Sequence, residues 1–232
     1  MISVIIPTYN EESHIRATLK ALREHDGAHL IKEIILADGK SSDNTVAVAQ
    51  SEKVKTIVCP QKGRAAQMNY GTLFATGHIL YFLHADTIPP PNFTNDITKA
   101  VASGFQAGCY RLAFDYRHWF LEANCWFTRF SANVFRFGDQ SLFLTKAKFN
   151  EVGGFSEKHL VMEDQDIILR LKKICAFKVL NRSVITSARK YLENGIYRTQ
   201  SIFFLIYIMY RLGFSQPKLI HTYVRLIQQD KY

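Results

Sequence analysis

Three short polar segments, each following an apolar β-rich run, hold side chains that suit chemistry on a phosphorylated ligand. They are Pro7-Thr8-Tyr9-Asn10-Glu11, Asp38 with the turn Gly39 to Thr45, and His84-Ala85-Asp86. In an open parallel sheet, ligands bind where loops leave the carboxyl ends of the strands, so residues just past each strand are the ones that meet a substrate. The ring of Tyr9, nearby hydroxyls and the carboxylates of Glu11, Asp38 and Asp86 would then face one cleft. That combination suits a nucleotide bound with a hard divalent cation. A fourth segment, Glu163-Asp164-Gln165-Asp166, gathers acids at the start of a helical pattern, where the helix dipole favours negative charge.

The elements that must position these groups follow from periodicity. Ser3 to Pro7, Glu33 to Ala37, Val54 to Val58 and Ile79 to Leu83 read as strands, separated by helical stretches, the pattern of parallel strands joined by crossover helices. Ile15, Leu19 and Leu22 recur at helical spacing, with Asn10 expected as the cap of their helix. Gly63-Arg64 opens another helix, and the Pro89-Pro90-Pro91 run ends regular structure after Asp86. Cys109 to Phe114 and Ser141 to Leu144 read as further strands around an aromatic stretch, Trp119 to Phe137. In that stretch Trp119, Trp126, Phe127 and Phe130 are expected to pack rather than to stack on sugar, since large aromatics are usually buried for their area.

Composition narrows the class. A chain of 232 residues with 47% hydrophobic content supports one good-sized core. Four cysteines without C-x-x-C pairing indicate neither a disulfide framework nor a structural metal site, which fits a reducing, cytoplasmic setting. The start enters an apolar strand with no secretory-leader pattern, so the protein is expected to stay where it is made. The longest apolar run, Ile202 to Tyr210, is nine residues, short of the roughly 20 that span a bilayer. The net charge of +9 is concentrated late: from Ile167 onward there are 12 basic and 2 acidic residues. This favours an anionic lipid surface or a phosphorylated ligand; nucleic acid is disfavoured because the tail's aromatics follow an apolar helical pattern. Peripheral contact with the inner face of a membrane is expected on this basis.

The segments Val4-Ile5-Ile6-Pro7-Thr8-Tyr9-Asn10-Glu11-Glu12, Ala37-Asp38-Gly39-Lys40-Ser41-Ser42-Asp43-Asn44-Thr45 and Leu83-His84-Ala85-Asp86 together resemble glycosyltransferase family 2. Gly153-Gly154-Phe155, Met162-Glu163-Asp164-Gln165-Asp166 and Arg170-Leu171 extend the resemblance over roughly residues 1–190. Within the family the chain looks closest to a short soluble subgroup associated with arsenosugar biosynthesis. The resemblance implies the GT-A fold: α/β, with a Rossmann-like, mostly parallel central sheet flanked by helices and here a basic amphipathic C-terminal helical extension. It divides the chain into a GT-A domain at 1–190, with a nucleotide-sugar half at 1–106 and an acceptor half at 107–190, and a helical tail at 191–232 in the same structural unit.

It also implies roles. Pro7, Thr8, Tyr9 and Glu11 surround the nucleoside, Asp38 meets the base edge, and Arg64 lies near base or diphosphate. His84, Ala85 and Asp86 line the donor, and Asp86 holds Mg or Mn. Asp164 is the general base of an inverting transfer to a hydroxyl acceptor, supported by Glu163 and by Asp166, the latter pairing with a cation such as Arg170 at i+4. The donor is a nucleoside-diphosphate sugar, UDP favoured and GDP possible. The chain departs from the family's D-x-D pattern at His84, where a carboxylate is lost; an imidazole suits Mn better than Mg, or hydrogen-bonds ribose or phosphate.

The plainer readings are turn or cap roles for Asp38 and for the acids of the late helix, and a surface role for Arg64. Other functions compete: a nucleotidyltransferase, though the first loop lacks its glycine-rich stretch, or a non-catalytic module binding nucleotide sugars at a membrane. A dehydrogenase and a P-loop NTPase are excluded because neither glycine fingerprint is present.

Overall fold

The computed structural model describes residues 1–136 and 138–227; Phe137, the end of the aromatic stretch, and residues 228–232 of the tail lie outside them. The chain begins with β1 (Ile2–Thr8), α1 (Glu12–Glu24), β2 (Ile31–Asp38), α2 (Thr45–Ser51), β3 (Lys55–Val58), α3 (Arg64–Leu73) and β4 (Ile79–Phe82). A two-residue β5 (Thr87–Ile88), α4 (Phe93–Ala102), β6 (Ala107–Phe114) and α5 (Trp119–Phe127) follow. Then come β7 (Leu142–Thr145), α6 (Lys146–Val152), α7 (Glu163–Ile174), β8 (Phe177–Thr186), α8 (Arg189–Asn194), α9 (Ile196–Arg211) and α10 (Gln216–Leu226).

One mixed sheet runs β3-β2-β1-β4-β7-β6-β8-β5. Its first four strands are parallel, joined by right-sized helical crossovers, whereas β7 enters antiparallel between β4 and β6. Every residue of β1 is buried, as a central strand covered on both faces requires. Its alternate side chains divide between two cores: Ile2, Val4 and Ile6 join Ile15, Leu19 and Leu22 of α1, while Ile5 joins Ala65 and Met68 of α3 and Ile167 and Ile168 of α7. α3 lies close on the sheet because Gly71 has no side chain; a Cβ there would stand 2.7 Å from Ile5 Cγ2. That seat brings Arg64, the first residue of α3, to the carboxyl edge of the sheet.

Two expectations are corrected. Asn10 does not cap α1: it adopts a left-handed φ of 53° and its Oδ1 accepts from Ser42 N, while Glu11 occupies the cap position. The loop from β1 is thereby tied to the loop after β2, which a helix cap could not do. Trp119, Trp126, Phe127 and Phe130 are exposed rather than packed in a core. Trp126, Phe127 and Phe130 touch one another and Phe135, with Trp126 5.1 Å from Phe130 and the Arg129 guanidinium 4.3 Å over Trp126, while the Trp119 ring lies 6.4 Å from that of Tyr197. The basic stretch after α7 also holds a ten-residue strand that periodicity did not reveal, β8, parallel to β6. Its exposed residues are Lys178, Asn181, Arg182 and Ile185, three of them polar or charged, so its composition resembles that of the amphipathic helices after it.

Among the described residues no helix is long and apolar enough to cross a membrane. α8 starts at Arg189, so the start of the tail at 191 falls inside a helix that packs Tyr191 against Leu121.

Candidate active site

Parallel pairing sets Pro7 against Ala37 and Thr8 against Asp38, so the first two loops leave the sheet together. Thr8 Oγ1 donates to Asp38 Oδ1 at 3.2 Å, and Ser41 donates to both carboxylate oxygens, from its amide at 2.8 Å and its hydroxyl at 2.5 Å. Asp38 is buried, and its bonds from Ser41 fit the turn reading directly. Gln67 of α3, also buried, donates from Nε2 to the carbonyls of Thr8 at 2.6 Å and Ala37 at 2.8 Å. The two strand ends are thus fixed by a residue that sequence reasoning missed.

Glu11 is buried, with Oε2 3.4 Å from His14 Nδ1 and 3.7 Å from Arg189 Nη2. Its amide donates to Thr45 Oγ1 at 2.8 Å, and Asp43 accepts from Thr45 and from the Glu12 amide, which locks the two loops. Tyr9 is partly exposed, and Lys62 Nζ sits 4.7 Å from its ring centroid, a cation beside the loop after β1 that the motifs did not reveal.

Around the β4 end, the charged groups assemble into one cluster. Arg64 Nε lies 2.8 Å from Glu163 Oε1, joining the start of α3 to the start of α7. His84 Nδ1 lies 3.1 Å from Asp139 Oδ1. Burial opposes the charged imidazole, but the hydrogen bond and charge of Asp139 outweigh it and raise the His84 pKa. Burial likewise opposes the Asp139 carboxylate, yet His84 draws it down to about 2. Asp139 keeps 41% of its side chain exposed, so water screens this pair. Asp139 supplies a carboxylate beside the position where the expected one is lost. It arrives from a short 3-10 turn, Gly138–Gln140, positioned by the fully buried Arg136, whose Nη1 donates to Gln140 Oε1 at 2.8 Å.

Asp164 is half-buried and close enough for its charge to act on both Glu163 and His84. Glu163, by contrast, is fully buried. Burial pushes its pKa from the ordinary 4.5 up to about 7, against the Arg64 guanidinium and with help from Asp164. Asp166 turns aside: Arg170 Nε and Nη2 donate to its Oδ2 at 2.9 and 2.6 Å, the i+4 pair read from the sequence. Ala85 is buried and its carbonyl accepts from Thr18 Oγ1 at 2.6 Å, which ties the loop to α1.

A carboxyl group with a raised folded-state pKa adds stability that is present below its unfolded pKa and lost as pH rises through the folded one. Thermal melting without nucleotide should therefore show a loss of stability between pH 4.5 and about 7 that Glu163→Gln reduces. Identical slopes for wild type and variant would contradict the assigned titration. Asp139 has the opposite sign, its contribution being lost only as pH falls toward 2.

Asp86 is half-buried; its side chain meets only Thr87 Oγ1, at 3.4 Å, among the contacts of the described residues. Its carbonyl accepts from Ser187 N at 3.2 Å. No group of three potential metal ligands exists among the described residues. One carboxylate with open lone pairs fits a cation whose other ligands come from a diphosphate, and not a closed protein-only site.

Solved structures share this architecture. The UDP-GlcNAc complex of a fragment of S. aureus TarS superposes with a TM-score of 0.67 at 17% identity, covering 80% of this chain and 58% of that one. The mannosyltransferase PcManGT from Pyrobaculum calidifontis, in complex with GDP-Man and Mn2+, gives a TM-score of 0.68 at 18% identity, covering 97% of this chain and 69% of that one. The chain thus spans less than two thirds of the TarS fragment. By sequence it is 27% identical over 191 residues to an uncharacterised glycosyltransferase of Mycobacterium tuberculosis, across 75% of this chain and 70% of the relative. It is 30% identical over 99 residues to a dolichyl N-acetyl-α-D-glucosaminyl phosphate diacetamido-dideoxy-glucuronosyltransferase of Methanococcus voltae, across 40% of this chain and 31% of that protein. The profile of glycosyl transferase family 2 matches residues 3–153, more than half of the chain and including the ends of β1, β2 and β4 with the loops that follow them. With an α/β sheet of the GT-A type beneath that match, the chain belongs to glycosyl transferase family 2, a family of glycosyltransferase enzymes.

Proposed function

We propose that this protein transfers a sugar from a nucleoside-diphosphate sugar to a hydroxyl acceptor with inversion at the anomeric carbon. The observation that carries the reading is the cluster at the end of β4, where Asp164 stands beside the Arg64–Glu163 pair and the His84–Asp139 pair. Asp164 takes the proton of the acceptor hydroxyl as that oxygen bonds to the anomeric carbon, and the electron pair of the broken bond leaves with the nucleoside diphosphate. Pro7, Thr8, Tyr9, Glu11 and Asp38 hold the nucleoside, Arg64 and His84 face the phosphates, and Asp86 holds Mg or Mn. The cation supplies charge neutralisation for the leaving diphosphate. That PcManGT is solved with Mn2+ supports this assignment.

A UDP-sugar is the favoured donor and a GDP-sugar the second, in keeping with the ligands of the two solved relatives. The likeness to the arsenosugar-associated subgroup leaves the acceptor defined only as a hydroxyl. We assign the protein to the cytoplasm, with peripheral contact at the inner face of the membrane.

The first test is a stabilisation screen with UDP-, GDP- and dTDP-sugars, each with Mg or Mn. A true donor at a hundred times its Kd adds about 2.7 kcal/mol, which for a chain of this size raises Tm by roughly 5–10 °C. No shift with any nucleotide sugar would overturn the donor assignment.

A further inference from the structure

We propose that the outer face of α9, together with the exposed end of α5, docks on an anionic phospholipid surface. The inference rests on the peripheral-contact reading above and gives that contact a defined surface.

α9 has two unlike sides. Ile202, Ile206 and Met209 are buried against Leu219 and Tyr223 of α10. On the opposite side Tyr197, Phe204, Ile208 and Leu212, spaced by seven, four and four residues, are all exposed, with Leu212 at 71%. At 100° per residue these positions form one stripe, about 22 Å long at 1.5 Å per residue. Trp119, 67% exposed, extends it, its ring 6.4 Å from that of Tyr197. Aromatic rings at one end of an aliphatic stripe are the arrangement that sits at the boundary between headgroups and acyl chains.

The charge around the stripe selects its occupant. Residues 189–227 carry six Lys or Arg against the single acid Glu193. Arg198 and Arg211 lie exposed near the two ends of the stripe, and Lys218 Nζ stands 4.5 Å over the Phe214 ring just beyond it. Just before and just after α5, the exposed Arg117 and Arg129 flank its Glu122. A second copy of this face would set like charges against one another, whereas an anionic bilayer satisfies both the cations and the apolar stripe. The helix is too short and too polar at its flanks to span, so it lies along the surface.

The test is co-sedimentation with vesicles of pure phosphatidylcholine and with vesicles one-third phosphatidylglycerol, using wild type and the double variant Phe204→Ser, Ile208→Ser. Both positions are exposed, so the variant's Tm should match wild type, and that is measured first. Wild type should bind the anionic vesicles at least about tenfold better than the neutral ones and lose binding as salt rises; the variant should lose roughly tenfold. If wild type binds neither vesicle, peripheral contact itself fails. If wild type and variant bind equally, contact stands but this face is wrong. A wild-type dimer that the substitutions dissociate would assign the stripe to a second copy and overturn the proposal. Donor-induced stabilisation is read separately and does not depend on any of these results.

Discussion

Replacing Asp164 with asparagine is expected to lower sugar transfer by about 10²- to 10⁴-fold, the usual contribution of a positioned general base. The amide keeps the size of the side chain but cannot take a proton. Asp164 is half-buried at the first turn of α7, where the helix dipole stabilises its carboxylate. Its side chain is not part of the Arg64–Glu163 or Asp166–Arg170 pairs that fasten this turn, so the fold should tolerate the change. Donor-induced stabilisation should persist in the variant while kcat falls and KM for the donor changes little. Full transfer by a folded Asp164→Asn protein would remove Asp164 from the base role, leaving Glu163 as the next carboxylate to test, since its raised pKa brings it into the range of a working base.

The second large effect is expected at Asp86. Replacing it with alanine removes the one carboxylate assigned to the cation, which supplies several kcal/mol of charge stabilisation to a departing phosphate. Losing about 3 kcal/mol of that corresponds to roughly a hundredfold in rate. The same loss should follow chelation of wild type, and chelation should then add little to the variant. Unlike Asp164→Asn, this variant should also weaken donor-induced stabilisation, because the cation acts at the diphosphate. Transfer insensitive to both chelator and Asp86→Ala would leave charge neutralisation to Arg64 and the His84–Asp139 pair.

The parts of the site legible in the sequence are those built by short-range pattern. Apolar runs of β1, β2 and β4 end in polar residues, so Thr8, Asp38 and Asp86 declare themselves by position. The Asp166–Arg170 pair is visible because helical spacing alone brings i and i+4 together. Asp139 was not legible: its meeting with His84 depends on a turn in an aperiodic aromatic stretch, held by Arg136 through Gln140 and the carbonyls of Thr128 and Phe130. Gln67 was hidden for a related reason, since a helical glutamine reveals nothing of the carbonyls it meets on the strands beneath. β8 escaped because an edge-proximal strand with mostly polar exposed residues, Lys178, Asn181 and Arg182, shares its composition with an amphipathic helix. The exposed aromatics of α5 reverse the ordinary expectation of burial, and that reversal supports the docking face.

The placement of β8 has a consequence for synthesis. Thr87 and Ile88, the residues directly after Asp86, pair with Thr186 and Ile185, and the Thr87 and Thr186 hydroxyls meet at 2.9 Å across 99 positions of sequence. As the chain leaves the ribosome, β1 and β2 can associate early, since they are neighbours in sequence as well as in space. The Asp86 loop gains its strand partner only after residue 186 has emerged. A stalled or proteolysed product ending before β8 would therefore keep the loops that follow β1 and β2 while leaving the Asp86 loop without its strand partner.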